Sequence, residues 1–147
     1  MRQPIQILAI PYILNGDNVE VMILKRRKGA YWQFVSGGKE YGESIKSTAK
    51  REIKEELGIS VKELFSLKTK TFIPADIFEN RFEKNPIFVI EHCFAFQLSA
   101  NPKDIVLSNE HSETRCVSYS EAMRMLKWDS NKTAMYELYC RMNWQHQ

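Results

Sequence analysis

The chain of 147 residues contains only three cysteines, Cys93, Cys116 and Cys140, an odd number with no close pair. A disulfide framework and a cysteine zinc site are therefore excluded, and free thiols in a reducing, cytoplasmic setting are the expectation. Charge of one sign is also scarce. Twenty-one basic residues against eighteen acidic ones leave a net charge of +3, too little to point to nucleic acid. Long hydrophobic runs are missing as well. The apolar stretch Ile5 to Leu14 is broken by Gln6 and Pro11, is too short to cross a bilayer, and has no basic leader or small-residue cleavage site. No repeat, low-complexity tract, linker, basic stripe or pair of DNA-binding helices is visible. Neither a membrane nor a nucleic acid is expected as a partner.

What is present fits a single domain over residues 1–147, with 44% apolar and 27% charged residues. The pattern is α/β. Ile5 to Leu14 and Glu20 to Lys25 read as strands around the turn cluster Asn15-Gly16-Asp17-Asn18. Arg26 and Arg27 continue that second strand, where alternation would send only one of them to a cleft. Tyr31 to Val35 reads as a short strand leading into Gly37-Gly38. Val61 to Ile73 and Ile87 to Leu98 read as extended, separated by a loop over 74–86. Arg115 to Val117 is a further short strand. Helices are expected over Glu121 to Leu126, opened by Ser120, and over Lys132 to Trp144. The apolar first strand and last helix would serve a homodimer as readily as a monomer core.

The most informative stretch lies between. Ser44 is placed to cap a helix that Gly58 would stop. Ile45, Ala49, Ile53 and Leu57 recur every four residues and form the stripe that must face the core. Lys46, Lys50 and Lys54 form a solvated row. Glu52, Glu55 and Glu56 crowd within about one turn beside the apolar stripe. Like charges three and four apart repel on a helix, so the cluster needs a compensating cation. A hard cation with oxygen ligands that bridges carboxylates to phosphates meets that need. The helix thus reads as a metal site built for a polyphosphate.

The spacing has a second meaning. Gly37, five residues, Glu43, seven residues, then Arg51-Glu52-Ile53-Lys54-Glu55-Glu56-Leu57-Gly58-Ile59 fills every fixed position of the Nudix box. The chain resembles the Nudix hydrolases, which cleave nucleoside diphosphates linked to other groups with Mg²⁺ or Mn²⁺. The resemblance implies an α/β/α sandwich around a mixed, curved sheet. It also implies Mg²⁺ as cofactor, with Mn²⁺ as substitute. Glu55 and Glu56 match the principal metal ligands, and Glu52 matches a residue that binds a further metal or activates water. Arg51 matches an arginine that holds the box acids in place, with Glu43 as its partner. The backbone oxygen of Ser36 or Gly37 matches one often found on the metal, and Gly37 and Gly38 are expected where the chain turns close to an ion. Family members often add a carboxylate from outside the box. Glu110 is the first candidate here, as metal ligand or general base, and Glu113 the second; His111 reads as a surface histidine without a catalytic duty.

Weaker matches, Tyr31 to Gly38, Glu110-His111 and Trp128 to Asn131, resemble the branch that removes pyrophosphate from dihydroneopterin triphosphate or dATP. The expected substrate is a nucleoside or pterin triphosphate. Arg26 or Arg27 would hold phosphate, Trp32 or Phe78 would stack on the ring, and Asn131 would contact base or phosphate. A dinucleoside polyphosphate or nucleoside-diphosphate-sugar hydrolase is the alternative within the family. A non-catalytic nucleotide sensor is a further one, against which stands the complete set of box acids.

Overall fold

The computed structural model describes residues 2–78, 82, 84–99 and 102–145. The described residues form seven strands and three α-helices: β1 (Arg2–Asn15), β2 (Asn18–Arg26), β3 (Trp32–Gln33), β4 (Val35–Glu40), α1 (Ile45–Leu57), β5 (Phe65–Pro74), β6 (Phe88–Gln97), β7 (His111–Val117), α2 (Tyr119–Met125) and α3 (Asp129–Gln145). Short 3-10 turns lie at Ala75–Phe78 and Pro102–Asp104.

The strands form one mixed sheet. Its main path is β3-β2-β1-β6-β5, with β4 added to β1 and β7 added to β2. The β1–β6 pair is parallel and the other pairs are antiparallel. β1 changes partner along its length. Its far half, from Tyr12, pairs with β2 through a two-residue turn in which Gly16 takes φ 64°. Its near half, through Ala9, pairs with β4. Pro11 sits in the hand-over between the two, where its missing N–H leaves no gap in either ladder. The segment from Tyr31 to Val35 is therefore two strands rather than one. It breaks at Phe34 because β3 follows β2 while β4 follows β1.

Both faces of the sheet are covered, so the central strands are buried on both sides; Ile7, Leu8, Ala9 and Ile10 are fully buried. One face packs Ile7, Ala9, Met22, Leu24 and Val35 against Ala49, Ile53 and Leu57 of α1. The other packs Leu8, Ile10, Val21, Ile23 and Phe34 against Ala122 of α2 and Met135, Leu138 and Met142 of α3. Glu137 on α3 fastens the edge strand by accepting from the backbone N–H of Lys68 and Thr69 at 2.7 and 2.8 Å.

α1 carries the expected signals. Ser44 accepts from Ser47 N and Ser47 answers in a capping box, and Gly58 closes the helix at φ 72°. Elsewhere the boundaries move. α2 is capped by Ser118 with Glu121 rather than by Ser120, and α3 begins at Asp129, three residues before Lys132. β7 is longer than expected and starts at His111. Arg27 lies beyond the end of β2, so it does not alternate with Arg26 on that strand. Gly37 and Gly38 form no turn: both lie within extended β4, and neither has positive φ. No helix among the described residues is long and apolar enough to cross a membrane.

Candidate active site

The acidic side of α1 faces the end of β4. Gly37 lies so close to Glu52 that a Cβ there would collide with the Glu52 carboxylate. Gly38 points to the other face, where a Cβ would meet the Arg2 side chain. A Cβ at Gly37 would displace the buried Glu52 carboxylate, whereas one at Gly38 would displace only the end of the Arg2 side chain.

Arg51 organises this corner. Its Nε and Nη2 donate to the two oxygens of Glu43 at 2.7 and 3.0 Å. Its Nη1 reaches Glu52 at 2.9 Å and Glu55 at 3.2 Å, and Nη2 also donates to the Gly38 carbonyl at 3.0 Å. The fork on Glu43 is the strong, paired geometry of guanidinium and carboxylate. It holds Glu43 down at about 2, helped by backbone and hydroxyl donors from Glu40 and Thr48.

The three box glutamates differ in setting. Glu55 is exposed, Glu52 is 8% exposed and Glu56 4%. Burial pushes Glu52 up to about 7; Arg51 counters the repulsion from Glu55 and Glu56 but does not undo the effect of burial. Burial would raise Glu56 too, but hydrogen bonds from His111 and Ser108, with a contribution from the Glu110 carboxyl, turn its net shift downward. His111 Nδ1 stands 2.6 Å from Glu56 Oε2, and Ser108 Oγ donates to the same oxygen at 2.9 Å. Gln33 Nε2 lies 3.2 Å from His111 Nε2, so the ring stands between Gln33 and Glu56.

His111 is therefore not the surface residue expected from sequence. It is 3% exposed and joined to a box glutamate. The cause is not local. Val106 N and Ser108 N donate to the Leu57 and Glu56 carbonyls, so the connector before β7 closes the end of α1 and delivers Ser108, Glu110 and His111 to it.

Of the two outlying acids, Glu110 belongs to this corner and Glu113 does not. Glu113 pairs with Lys25 in the β2–β7 ladder and stands 3.8 Å from Lys25 Nζ and 3.7 Å from Arg115. Alternation from Val117 puts it on the α2/α3 face.

The side chains proposed for substrate are dispersed. Arg26 donates to the Tyr31 hydroxyl at 3.0 Å. Arg27 is exposed and its backbone N–H holds the Glu110 carbonyl at 2.9 Å. Trp32 packs on the α2/α3 face beneath Lys25 and Arg115. Asn131 is 3% exposed and its Oδ1 accepts from Phe34 N at 2.9 Å, which ties α3 to the β3–β4 break. Phe78 lies against Phe82 and the Arg2 guanidinium. A groove of about 340 Å³ on the outer side of α1, lined by Lys46, Lys50 and Lys62, holds none of these groups.

The donor set fits a hard divalent cation. It consists of carboxylate oxygens beside the β4 backbone, and Glu52 is buried among acids with its carboxyl pushed up, a cost that a bound cation would relieve. In the arrangement shown, no three such side chains among the described residues already converge on one point. Glu52 and Glu55 turn to Arg51 while Glu56 turns to His111. Glu55 is exposed and has only to exchange a side-chain contact with Arg51 to face an ion.

Known proteins resemble this chain in sequence and fold. Residues 6–139 match the NUDIX domain family. A Listeria monocytogenes structure assigned to the NUDIX hydrolases superposes with TM-score 0.85 at 45% identity, covering 97% of each chain. The Escherichia coli dihydroneopterin triphosphate pyrophosphohydrolase gives 0.77 at 26% identity, over 91% of this chain and 93% of that one. An RNA pyrophosphohydrolase of Ruthia magnifica is 28% identical over 106 residues, 69% of this chain and 59% of that relative, so less than two thirds of the relative's length is matched.

Proposed function

The chain belongs to the NUDIX domain family, and on that premise we propose that it hydrolyses a nucleoside or pterin triphosphate to the monophosphate and pyrophosphate. The observation that carries this reading is the corner where Glu52, Glu55 and Glu56 rise from one helix against glycine-bearing β4, with Arg51 bracing Glu52 and Glu55, and His111 at the start of β7 meeting Glu56.

Glu55, Glu56 and Glu52 are the residues that would hold Mg²⁺ or Mn²⁺, with the Gly37 backbone beside them. When bound, such an ion neutralises phosphoryl charge and lowers the pKa of a coordinated water. The remaining work falls to the chain. Arg51 fixes the directions of Glu52 and Glu55 through charge-assisted bonds and is itself locked by Glu43. His111 and Ser108 fix Glu56 in the ionised form. Glu110, exposed beside them, would accept a proton from the attacking water. Arg26, at the end of β2, supplies a cation on the same side of the sheet for the phosphate chain, since Met22 and Leu24 of that strand face α1.

A panel of triphosphates, dinucleotides and nucleotide sugars, incubated with Mg²⁺ and read by mass, tests the reading. Pyrophosphate and a monophosphate from a simple triphosphate support it. Two nucleotides from a dinucleoside polyphosphate, with simple triphosphates left intact, replace it by the dinucleotide alternative.

A further inference from the structure

Behind the acidic corner lies a buried amide that the chemistry proposed above does not use. Gln33 is 8% exposed and stands opposite Leu24 in the β2–β3 pair, so its side chain enters the face on which Leu24 packs against α1. Its Nε2 lies 3.2 Å from His111 Nε2, and His111 Nδ1 stands 2.6 Å from Glu56 Oε2. Gln33, His111 and Glu56 are all less than a tenth exposed. Burying a side-chain amide costs stability unless it is paired, and an apolar residue among Leu24 and its neighbours would carry no such cost. The glutamine therefore calls for a reason, and its contact with the ring supplies one.

The second observation is how firmly Gln33 is held. β3 is only two residues long, yet its backbone is fixed on both sides of Gln33 from the other layer of the molecule. The Trp32 carbonyl accepts from Lys127 N at 3.1 Å, and Phe34 N donates to Asn131 Oδ1 at 2.9 Å. Leu24 has Gln33 on one side and Thr114 of β7 on the other, so the Gln33 side chain crosses β2 to meet His111 at the start of β7. The contacts then continue from His111 to α1. An imidazole is free to turn about its side-chain bonds unless something fixes its plane. Contacts at both ring nitrogens hold it where a contact at one would let it swing.

We propose that Gln33 is a positioning residue for the cation site: it holds the His111 ring against Glu56 and so fixes the direction in which the Glu56 carboxylate meets a divalent ion. This rests on reading the corner as the site of a metal-dependent hydrolase, and adds to it a residue that acts through another. Partners behind a ligating side chain set its orientation, and their loss weakens metal binding although no ligand is removed. Ser108 Oγ holds the same Glu56 oxygen at 2.9 Å, so losing Gln33 loosens Glu56 without freeing it.

The test is a double-mutant cycle read as Mn²⁺ affinity by electron paramagnetic resonance, on the wild type, Gln33→Leu, His111→Ala and the two combined, with a thermal melt of each. Gln33→Leu keeps much of the volume and removes the amide. It is expected to weaken Mn²⁺ binding by about tenfold, the low end of the loss that follows removal of a partner behind a metal ligand. In the His111→Ala background the same substitution is expected to change the affinity by less than about twofold, because the ring through which Gln33 acts is gone. Equal affinity of the wild type and Gln33→Leu overturns the proposal. So does a loss of the same size in both backgrounds, which would mark Gln33 as a structural residue only. Should Gln33→Leu or His111→Ala fail to fold, Gln33→Asn, which draws the amide back by one methylene, and His111→Asn, which removes the ring nitrogen that Gln33 meets, carry the same cycle. A wild type that binds no Mn²⁺ removes the cation site and the role of Gln33 with it, whereas Mn²⁺ binding indifferent to Gln33 removes this proposal alone.

Discussion

On the α1 face of the sheet, one guanidinium serves three carboxylates and a backbone carbonyl, and a histidine and a serine serve another carboxylate. On the α3 face, the Glu91 carboxylate is buried, receives the Gln6 amide at 2.7 Å and is eased further by Ser130, yet burial still pushes it up. Both arrangements bury acids, but the first surrounds its acids with donors while the second under-supplies its own. The difference is instructive about location. Acids that must present themselves to a cation are braced by fixed partners from behind.

The comparison is broken most severely by removing charge from the braced side. Glu55→Gln touches an exposed side chain, so the fold should keep its melting temperature. Turnover should fall by about 100- to 1,000-fold, the size of effect seen when preorganised charge stabilisation is removed at a reacting centre. Steady-state kinetics beside a thermal melt separates the two. His111→Ala should act more mildly. It strips Glu56 of its Nδ1 partner, and losses of about 10- to 100-fold in metal affinity follow the removal of partners behind metal ligands. A Mg²⁺ titration of activity reads that shift, and an unchanged titration curve would separate His111 from the site.

A third expectation concerns pH. Glu52, raised to about 7 from an ordinary 4.5, binds its proton more tightly folded than unfolded. Its contribution is therefore present in full below pH 4.5 and is lost as pH rises toward 7. Glu43, lowered to about 2, acts in the opposite sense, its contribution present above 4.5 and lost as pH falls toward 2. In chelator, Glu52→Gln should flatten a fall in melting temperature of several degrees between pH 4.5 and 7, since each ~1 kcal/mol moves a domain of this size by about 2–4 °C. Calorimetry across that window decides, and parallel curves for the two proteins would reject the assignment. The smallest effect separates the outlying acids. Glu113→Gln, an exposed pair on the far face, should cost less than about 0.5 kcal/mol and leave the rate alone. Glu110→Gln should slow turnover at saturating Mg²⁺.

How much of this was legible depended on distance along the chain. Ser44, Gly58 and the stripe Ala49, Ile53 and Leu57 were readable because capping and periodicity are local, and the structure keeps all of them. The Glu43–Arg51 pair followed from the motif and was found. His111 was misread because its burial depends on Val106 and Ser108 closing the end of α1, some fifty residues earlier in sequence. Gly37 and Gly38 were read as a turn, whereas their value lies in offering no side chain to either face of an extended strand. Gln6 was read as a mere break in an apolar run. Its parity with Leu8 and Ile10 marks it as a polar side chain aimed into the α3 face, but its partner Glu91 appears only once β1 and β6 are placed side by side.

The central claim, that the glutamates of α1 form a cation site serving phosphate chemistry, is tested most directly by electron paramagnetic resonance of Mn²⁺ titrated into the wild type and into Glu55→Gln and Glu56→Gln. Bound Mn²⁺ in the wild type, weakened in both variants and displaced by Mg²⁺ at concentrations that support hydrolysis, is the result expected. Equal binding by all three proteins, or turnover that persists unchanged in chelator, would contradict it.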